Sequence, residues 1–215
     1  MQNDLGDYRK NYQKGELIES NVPDNPIQLF QTWFYEVERF GGVEEANAMT
    51  VSTIGLDGFP KSRVVLLKKY TYEGFIFYTN YNSEKGKAIA ANPNLCLSFF
   101  WPNLERQVII KGVAEKLAPN MSDGYFESRP DGSKLGAIVS EQSSVIESRD
   151  ILEKKLKELE TTMKGKEILR PDYWGGYLVR PRSIEFWQGR PNRLHDRIRY
   201  TLQDDYCWKI NRLAP

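Results

Sequence analysis

The sequence predicts a mainly β protein with added helices, an α+β chain built around a closed or nearly closed antiparallel barrel. Three observations carry that reading. From residue 48 onward, six to eight short runs rich in β-branched and aromatic residues are separated by turn signals. Helical periodicity is confined to a few segments before and between those runs. Aromatic residues make up 13% of the chain, with five Trp and twelve Tyr, which suits a β core and also the binding of flat heterocycles.

Residues 1–20 hold few core-grade positions and read as a loosely held arm or short helix. Asn25-Pro26 opens a helix in which Leu29, Phe30, Trp33, Phe34, Val37 and Phe40 form the apolar stripe, and Gly41-Gly42 stops it. Strands are expected over Ala48 to Ile54, Arg63 to Tyr70, Phe75 to Thr79, Leu95 to Trp101 and Gln107 to Leu117, with a turn at Asp57-Gly58. Ser83 caps a short helix that runs to Ala91, and a further helix runs from Pro119 to before Pro130. Residues 147–163 form a charged amphipathic helix with Ile151, Leu152, Leu156 and Leu159 inward; its Lys154/Lys155/Lys157 cluster reads as a solvated face. The chain returns to strand at Tyr177 to Val179, Ser183 to Gln188, Arg197 to Leu202 and Tyr206 to Ile210, with a hairpin at Gln203-Asp204-Asp205.

At 215 residues, with no repeat or Pro/Gly-rich linker, the chain fits one domain that needs no disulfide or metal to hold its core. Cys96 and Cys207 lie in apolar stretches and read as buried free thiols, and no Cys/His spacing suggests zinc, so no metal is expected. The polar start Met1-Gln2-Asn3-Asp4 and the lack of a long apolar run point to a soluble cytosolic protein. Thirty basic residues oppose twenty-nine acidic ones, which argues against broad nucleic-acid binding.

Chemistry concentrates in a few places. His195 is the one histidine. If 193–199 is extended, Arg193, His195, Arg197 and Arg199 share a face. Such crowding fits either a solvated edge or an anionic ligand, for which arginine's planar fork is suited. Asp196 then faces away and cannot pair with His195 as in a catalytic triad. Arg63 to Lys69 is buried-strand material with charged ends; Arg63 and Lys68 are on opposite faces unless a bulge or strand end intervenes. Tyr125 to Ser133 mixes tyrosine, arginine and serine around a turn, and Gln142-Ser143-Ser144 reads as a loop. No nucleophile elbow, P-loop or GxGxxG is present, so acyl transfer has little support. Scattered cations with aromatic partners suit a phosphorylated flat cofactor in a groove.

These residues carry a resemblance that runs over nearly the whole chain. Its landmarks are Arg63-Val64-Val65-Leu66-Leu67-Lys68, Phe77-Tyr78-Thr79-Asn80, Leu104-Glu105-Arg106-Gln107-Val108, Ser128-Arg129-Pro130, Ser140-Glu141-Gln142-Ser143-Ser144 and Trp174-Gly175-Gly176. The most specific part follows: Ile184 to Gly189, Arg193-Leu194-His195-Asp196-Arg197, Trp208-Lys209-Ile210 and Arg212 to Pro215. The sequence resembles the pyridoxamine 5′-phosphate oxidase family.

What the resemblance implies is an FMN-binding split β-barrel that works as a homodimer with shared active sites. Arg63, Lys85, Gln142 and Ser143 would hold the FMN phosphate and ribityl region. Tyr78, Thr79, Gln107, Trp187 and Arg197 would surround the rest of the flavin, and Val64, Val65, Leu66 and Leu67 lie in the same cofactor-binding run, which ends at Lys68. Lys68, Tyr125, Arg129 and Ser133 match the grip on the substrate phosphate. Arg193 and His195 match catalytic residues against the substrate, and Arg9 and Tyr12 match residues of a mobile arm, 1–20, that close over it. The implied substrates are pyridoxamine and pyridoxine 5′-phosphate, oxidised at C4′ by hydride transfer to flavin N5, with dioxygen as acceptor and hydrogen peroxide as by-product. Glu84 stands where relatives can carry a basic residue, so its carboxylate is expected to point away; Arg190-Pro191-Asn192 varies at the lip of the site. Two other readings compete: a split-barrel flavin or deazaflavin reductase, which needs no substrate-phosphate set, and a non-catalytic FMN- or pyridoxal-phosphate-binding carrier.

Overall fold

The structure is a computed structural model that describes residues 4–215. Nine strands run in chain order: β1 (Ala48–Ile54), β2 (Pro60–Leu66), β3 (Lys69–Thr71), β4 (Gly74–Asn80), β5 (Asn94–Trp101), β6 (Arg106–Lys116), β7 (Trp174–Gln188), β8 (Asp196–Leu202) and β9 (Trp208–Leu213). Five helices join them: α1 (Pro26–Phe40), α2 (Glu84–Ala91), α3 (Pro119–Glu127), α4 (Asp131–Val139) and α5 (Arg149–Met163). The strand order is β2-β1-β5-β6-β7-β4-β3, with β8 on β7 and β9 on β8. The chain divides into two compact units: one holds the chain up to Thr50 with Leu97–Lys111 and Pro181–Pro215, the other Val51–Cys96 with Gly112–Arg180.

In the first unit, α1 starts where the sequence says it must. The Asn25 side chain accepts from the Ile27 N–H, Pro26 sits at the first helical position, and Gly41 ends the helix at φ 70°. Its buried stripe is Leu29, Phe30, Trp33 and Val37. Phe30 meets Phe99 edge-on at 5.2 Å, and Trp33 meets Phe186 edge-on at 5.1 Å. Phe40 leaves the stripe, contrary to expectation: it lies in the last turn, exposed, with the Lys14 ammonium over its ring. The β8–β9 hairpin forms as expected and pairs Arg197 with Leu213 and Leu202 with Trp208. Asp196 turns to structure, accepting from the Leu17 N–H and from Arg212.

In the second unit, β4 is almost wholly buried and pairs antiparallel with β7, placing Tyr78 opposite Gly176 and Asn80 opposite Trp174. Ser83 caps α2 by accepting from the Gly86 N–H. The α5 stripe is only half-buried, and Lys154, Lys155 and Lys157 are exposed as expected.

Several expectations need correction. Arg63 to Tyr70 is not one strand: β2 stops at Leu66 and β3 starts at Lys69. The two runs before and after residue 180 are one strand, β7. The Tyr125–Ser133 turn is mostly helix, because Pro130 is the residue before α4 and so opens it. Residues 193–199 are not one extended run. Pro191–Arg193 form a tight 3-10 turn with Asn192 at φ 57° and Arg193 at φ 62°, and β8 begins only at Asp196. Alternation therefore links Arg197 to Arg199 but does not reach Arg193. Cys96 is half-buried and Cys207 exposed, so only the free state of the two thiols matches the expectation. Among the described residues no group of His, Cys, Asp and Glu could hold a metal, and no helix is long and apolar enough to cross a membrane.

Candidate active site

The second unit encloses a cavity of about 490 Å³. Val64, Val65, Leu66 and Lys68 form one wall, at the end of β2 and just beyond it; Tyr78, Thr79 and Asn80 come from β4, Lys85 from α2, and Tyr125 from α3. Arg129, Pro130, Ser133, Ala137, Ser140, Gln142 and Trp174 complete it. The strand end after Leu66 is the interruption that lets Lys68 reach this space; Leu67, next to it, is buried and does not line the cavity.

Lys85 is the cation most deeply set here, 7% exposed. Its ammonium donates to Thr79 Oγ1 at 3.1 Å and Gln142 Oε1 at 3.3 Å, and Thr79 in turn donates to Gln142 at 3.1 Å. Both acceptors are neutral. Burial, with Arg63 nearby and only Glu84 opposing, pulls the Lys85 pKa from 10.5 to about 8. Its place in the first turn of α2 adds the positive end of that helix. Glu84 points to Lys61, with which it forms an exposed ion pair, as its expected turn away from the site requires. Arg63 donates to Thr53 Oγ1 at 2.7 Å and to the Lys61 carbonyl at 2.9 Å; burial lowers its pKa against Glu84. Ser143, at φ 75° in an exposed turn, does not line the cavity.

At the other end, aromatic rings stack. Tyr78 lies 3.9 Å from Tyr125 and 5.5 Å from Trp174, nearly parallel to both. A Cβ on Gly176 would strike Tyr78 at 2.8 Å, so that glycine is what admits the stack, while Gly175 makes room for Tyr81. The Arg129 guanidinium sits 4.6 Å over the Trp174 ring. Its Nη1 is buried and has no hydrogen-bond partner, and burial lowers its pKa. No carboxylate forms a salt bridge to Lys85 or Arg129 among the described residues. Sequence reasoning assigned no role to Asn80, Ala137, Ser140 or Trp174. Trp174, next to two glycines in a strand, was the legible signal.

The first unit has its own cavity, about 660 Å³, lined by Tyr8, Arg9, Lys10, Asn11 and Tyr12 of the arm and by Arg190, Asn192, Arg193 and His195. The unusual left-handed backbone at Arg193 lies in this wall, and such strain persists only where its surroundings impose it. His195 Nδ1 accepts from the Arg190 N–H at 3.0 Å, so the neutral ring carries its proton on Nε2. Burial and Arg193 lower the His195 pKa against the opposing effect of Asp196. Tyr12 packs against Trp187 edge-on at 5.7 Å and against His195 at 5.7 Å, and Trp187 lies 4.7 Å from His195. Elsewhere in this unit, Gln107 donates to Ser98 Oγ. Arg197 pairs with Glu185 at 2.7 Å and donates to the Ala214 carbonyl, which leaves its charge compensated.

Comparison with known proteins agrees with this chemistry. A family model described as pyridoxamine 5′-phosphate oxidase matches residues 36–163, and one described as the pyridoxine 5′-phosphate oxidase C-terminal dimerisation region matches residues 174–215. The pyridoxine/pyridoxamine 5′-phosphate oxidase of Flavobacterium psychrophilum is 73% identical over 212 residues, covering 99% of each chain. That of Christiangramia forsetii is 54% identical over 215 residues, covering 100% of each. Among solved structures, PhzG from Burkholderia lata in complex with tetrahydrophenazine-1-carboxylic acid superposes with a TM-score of 0.85 at 28% identity, covering 93% of this chain and 98% of that one. The fold is accordingly the antiparallel split β-barrel with added helices. The two family models between them hold all nine strands, with Lys68, Lys85, Arg129, Arg193 and His195, and leave one assignment: the chain belongs to the pyridoxine/pyridoxamine 5′-phosphate oxidase family.

Proposed function

We infer that this chain oxidises pyridoxamine 5′-phosphate and pyridoxine 5′-phosphate to pyridoxal 5′-phosphate with bound FMN. The observation that carries it is the second unit's cavity, whose wall holds a buried lysine and an arginine with one buried, unpartnered nitrogen, neither in a salt bridge to a carboxylate among the described residues. Buried charge without a partner is costly, and a phosphate dianion relieves it. FMN and a phosphorylated pyridine each bring such a group, so the donor set fits both.

Lys85, Thr79 and Gln142, with Arg63 and Ser143, would hold the FMN phosphate and ribityl chain; Tyr78, Gln107, Trp187 and Arg197 would border the rest of the flavin, and Val64 to Leu67 form the adjoining run. When bound, FMN supplies a hydride acceptor for the substrate C4′ and passes the electrons on to dioxygen. Lys68, Tyr125, Arg129 and Ser133 take the substrate phosphate, which fixes one end of the pyridine and sets the position of C4′ at the other. Arg193 and His195 act on the substrate as the catalytic pair. Because Nδ1 is occupied as an acceptor, neutral His195 offers Nε2–H and orients the substrate by donating, rather than removing a proton there. Arg9 and Tyr12, in the arm of residues 1–20, close over the substrate and keep water out.

The proposal extends to residues 1–215 as one domain and to a cytoplasmic homodimer with shared active sites, supported by the match of residues 174–215 to a region described as dimerising. The test is spectroscopic. Purified protein should be yellow and should bleach anaerobically when pyridoxamine 5′-phosphate is added. A yellow protein that stays oxidised would favour a split-barrel reductase, and a protein unable to bind FMN would defeat the reading.

A further inference from the structure

We propose that Glu105 is a positioning residue: its carboxylate latches the N-terminal arm and thereby holds Tyr12 against His195 and Trp187. The inference rests on the proposed function only in taking Arg9 and Tyr12 to bear on the substrate.

Glu105 sits in the turn between β5 and β6 and is 2% exposed, in the left-handed conformation at φ 57°. A glutamate is rare in that conformation and a buried one rarer still. What it meets explains its place. Oε2 accepts from the Gln13 N–H at 2.8 Å and the Lys14 N–H at 3.0 Å, and Oε1 faces the Lys10 ammonium at 3.4 Å. Those three residues bracket Tyr12. Burial pushes the Glu105 carboxyl up, but the N–H donors of Lys14 and Gln13 and the charge of Lys10 outweigh it and hold it ionised.

The same residue also grips the far side of the site. Its carbonyl accepts from the Gly189 N–H at 2.7 Å and from Gln188 Nε2 at 3.3 Å. Gly189 follows β7 directly after Trp187 and Gln188, and a Cβ there would lie 2.8 Å from the Tyr12 ring and 3.0 Å from Glu105 Cβ. One residue thus ties the arm and the end of β7 to each other, with Tyr12 clamped between. The arm's other anchors lie after Tyr12: the Lys14 ammonium donates to the Asn103 carbonyl at 2.7 Å and lies over the Phe40 ring, and the Gly15 carbonyl accepts from Arg190 at 2.9 Å.

Hydrogen exchange of the FMN-loaded protein, followed on the peptide holding residues 10–17, tests the latch beside steady-state kinetics. Glu105→Ala keeps the left-handed backbone no more strained than before. It should raise arm exchange at least about tenfold and raise KM for pyridoxine 5′-phosphate about tenfold, as expected for losing charge-assisted bonds, with kcat changed less than about twofold. Glu105→Gln should rescue most of both, since one amide oxygen can accept from both N–H groups. In a Tyr12→Ala background, Glu105→Ala should add less than about a twofold change in KM, because neighbours acting as a unit are not additive. Unchanged arm exchange in Glu105→Ala, or an undiminished KM effect in the Tyr12→Ala background, would overturn the latch. If Glu105→Ala does not fold, Gly189→Ala, whose Cβ presses on both Tyr12 and the Glu105 side chain, must raise both arm exchange and KM, and failure to do so overturns it equally. A wild-type protein inactive on the substrate would refute the function and still leave the latch to be decided by exchange.

Discussion

Replacing Lys85 with methionine probes the phosphate cavity most directly, and its effect can be worked from the structure. The ammonium titrates at about 8, against an ordinary 10.5, because it is buried beside neutral acceptors. Without ligand, folded protein binds fewer protons than unfolded protein between those values. Stability therefore rises with pH across that window, and below it the chain carries the full burden of the buried charge, on the order of 3 kcal/mol. A phosphate dianion reverses this by restoring the ordinary pKa. At pH 9 wild-type protein should take up close to one proton on binding FMN, and at pH 7 only about a tenth of one; the Kd should rise about tenfold over that interval. Lys85→Met should remove both the uptake and the slope, while weakening binding at pH 7 by roughly 10- to 100-fold for the lost charged hydrogen bonds. Calorimetric titration of FMN in two buffers of different ionisation enthalpy measures the proton count. Equal proton uptake by wild type and variant at pH 9 would show that the phosphate does not sit on Lys85.

Arg129→Met should raise KM for both 5′-phosphate substrates by roughly 10- to 100-fold while leaving the melting temperature of the ligand-free protein unchanged or higher, since it removes a buried nitrogen with no partner; steady-state kinetics and a thermal melt check both signs. Gly86→Ala places a Cβ 2.2 Å from the Tyr81 carbonyl, a backbone atom that cannot yield cheaply. It should destabilise by about 3 kcal/mol or more and lower the melting temperature by about 6–12 °C in calorimetry.

Legibility followed the range of the forces involved. The start and end of α1 were plain because Asn25, Pro26 and Gly41 act within a few residues. The strands of β4, β5 and β6 were equally plain, since their patterns of burial are local. Phe40 was misplaced because periodicity continues through a last turn whether or not anything covers it. Helix α4 was hidden because Pro130 signals a stop when read from α3 and a start when read from α4. The cavity's residue types, Lys68, Arg129 and Lys85, were visible through the family resemblance. That none of them forms a salt bridge among the described residues was not, because it depends on which segments the fold brings around them.

The segment Arg193–His195 shows how a wrong local premise can still name residues that the fold brings together. An extended strand would put Arg193, His195 and Arg197 on one face, and like charges there would ask for an anion. The backbone instead turns tightly at Asn192 and Arg193. That turn carries the Arg190 N–H to His195 Nδ1 at 3.0 Å, which no strand could do across five residues. Arg193 remains beside His195, lowering its pKa, while Arg197 moves to Glu185 and is neutralised. Arg193 and His195 are therefore neighbours through the turn and not through strand alternation. The strained turn separates the arginines by their surroundings: Arg193 stands beside an imidazole whose pKa burial and that charge lower, and Arg197 is bound to a carboxylate. A neutral imidazole with Nδ1 filled is an obligate donor at Nε2, so the backbone at Asn192 and Arg193, rather than a titrating neighbour, sets the chemistry His195 can offer.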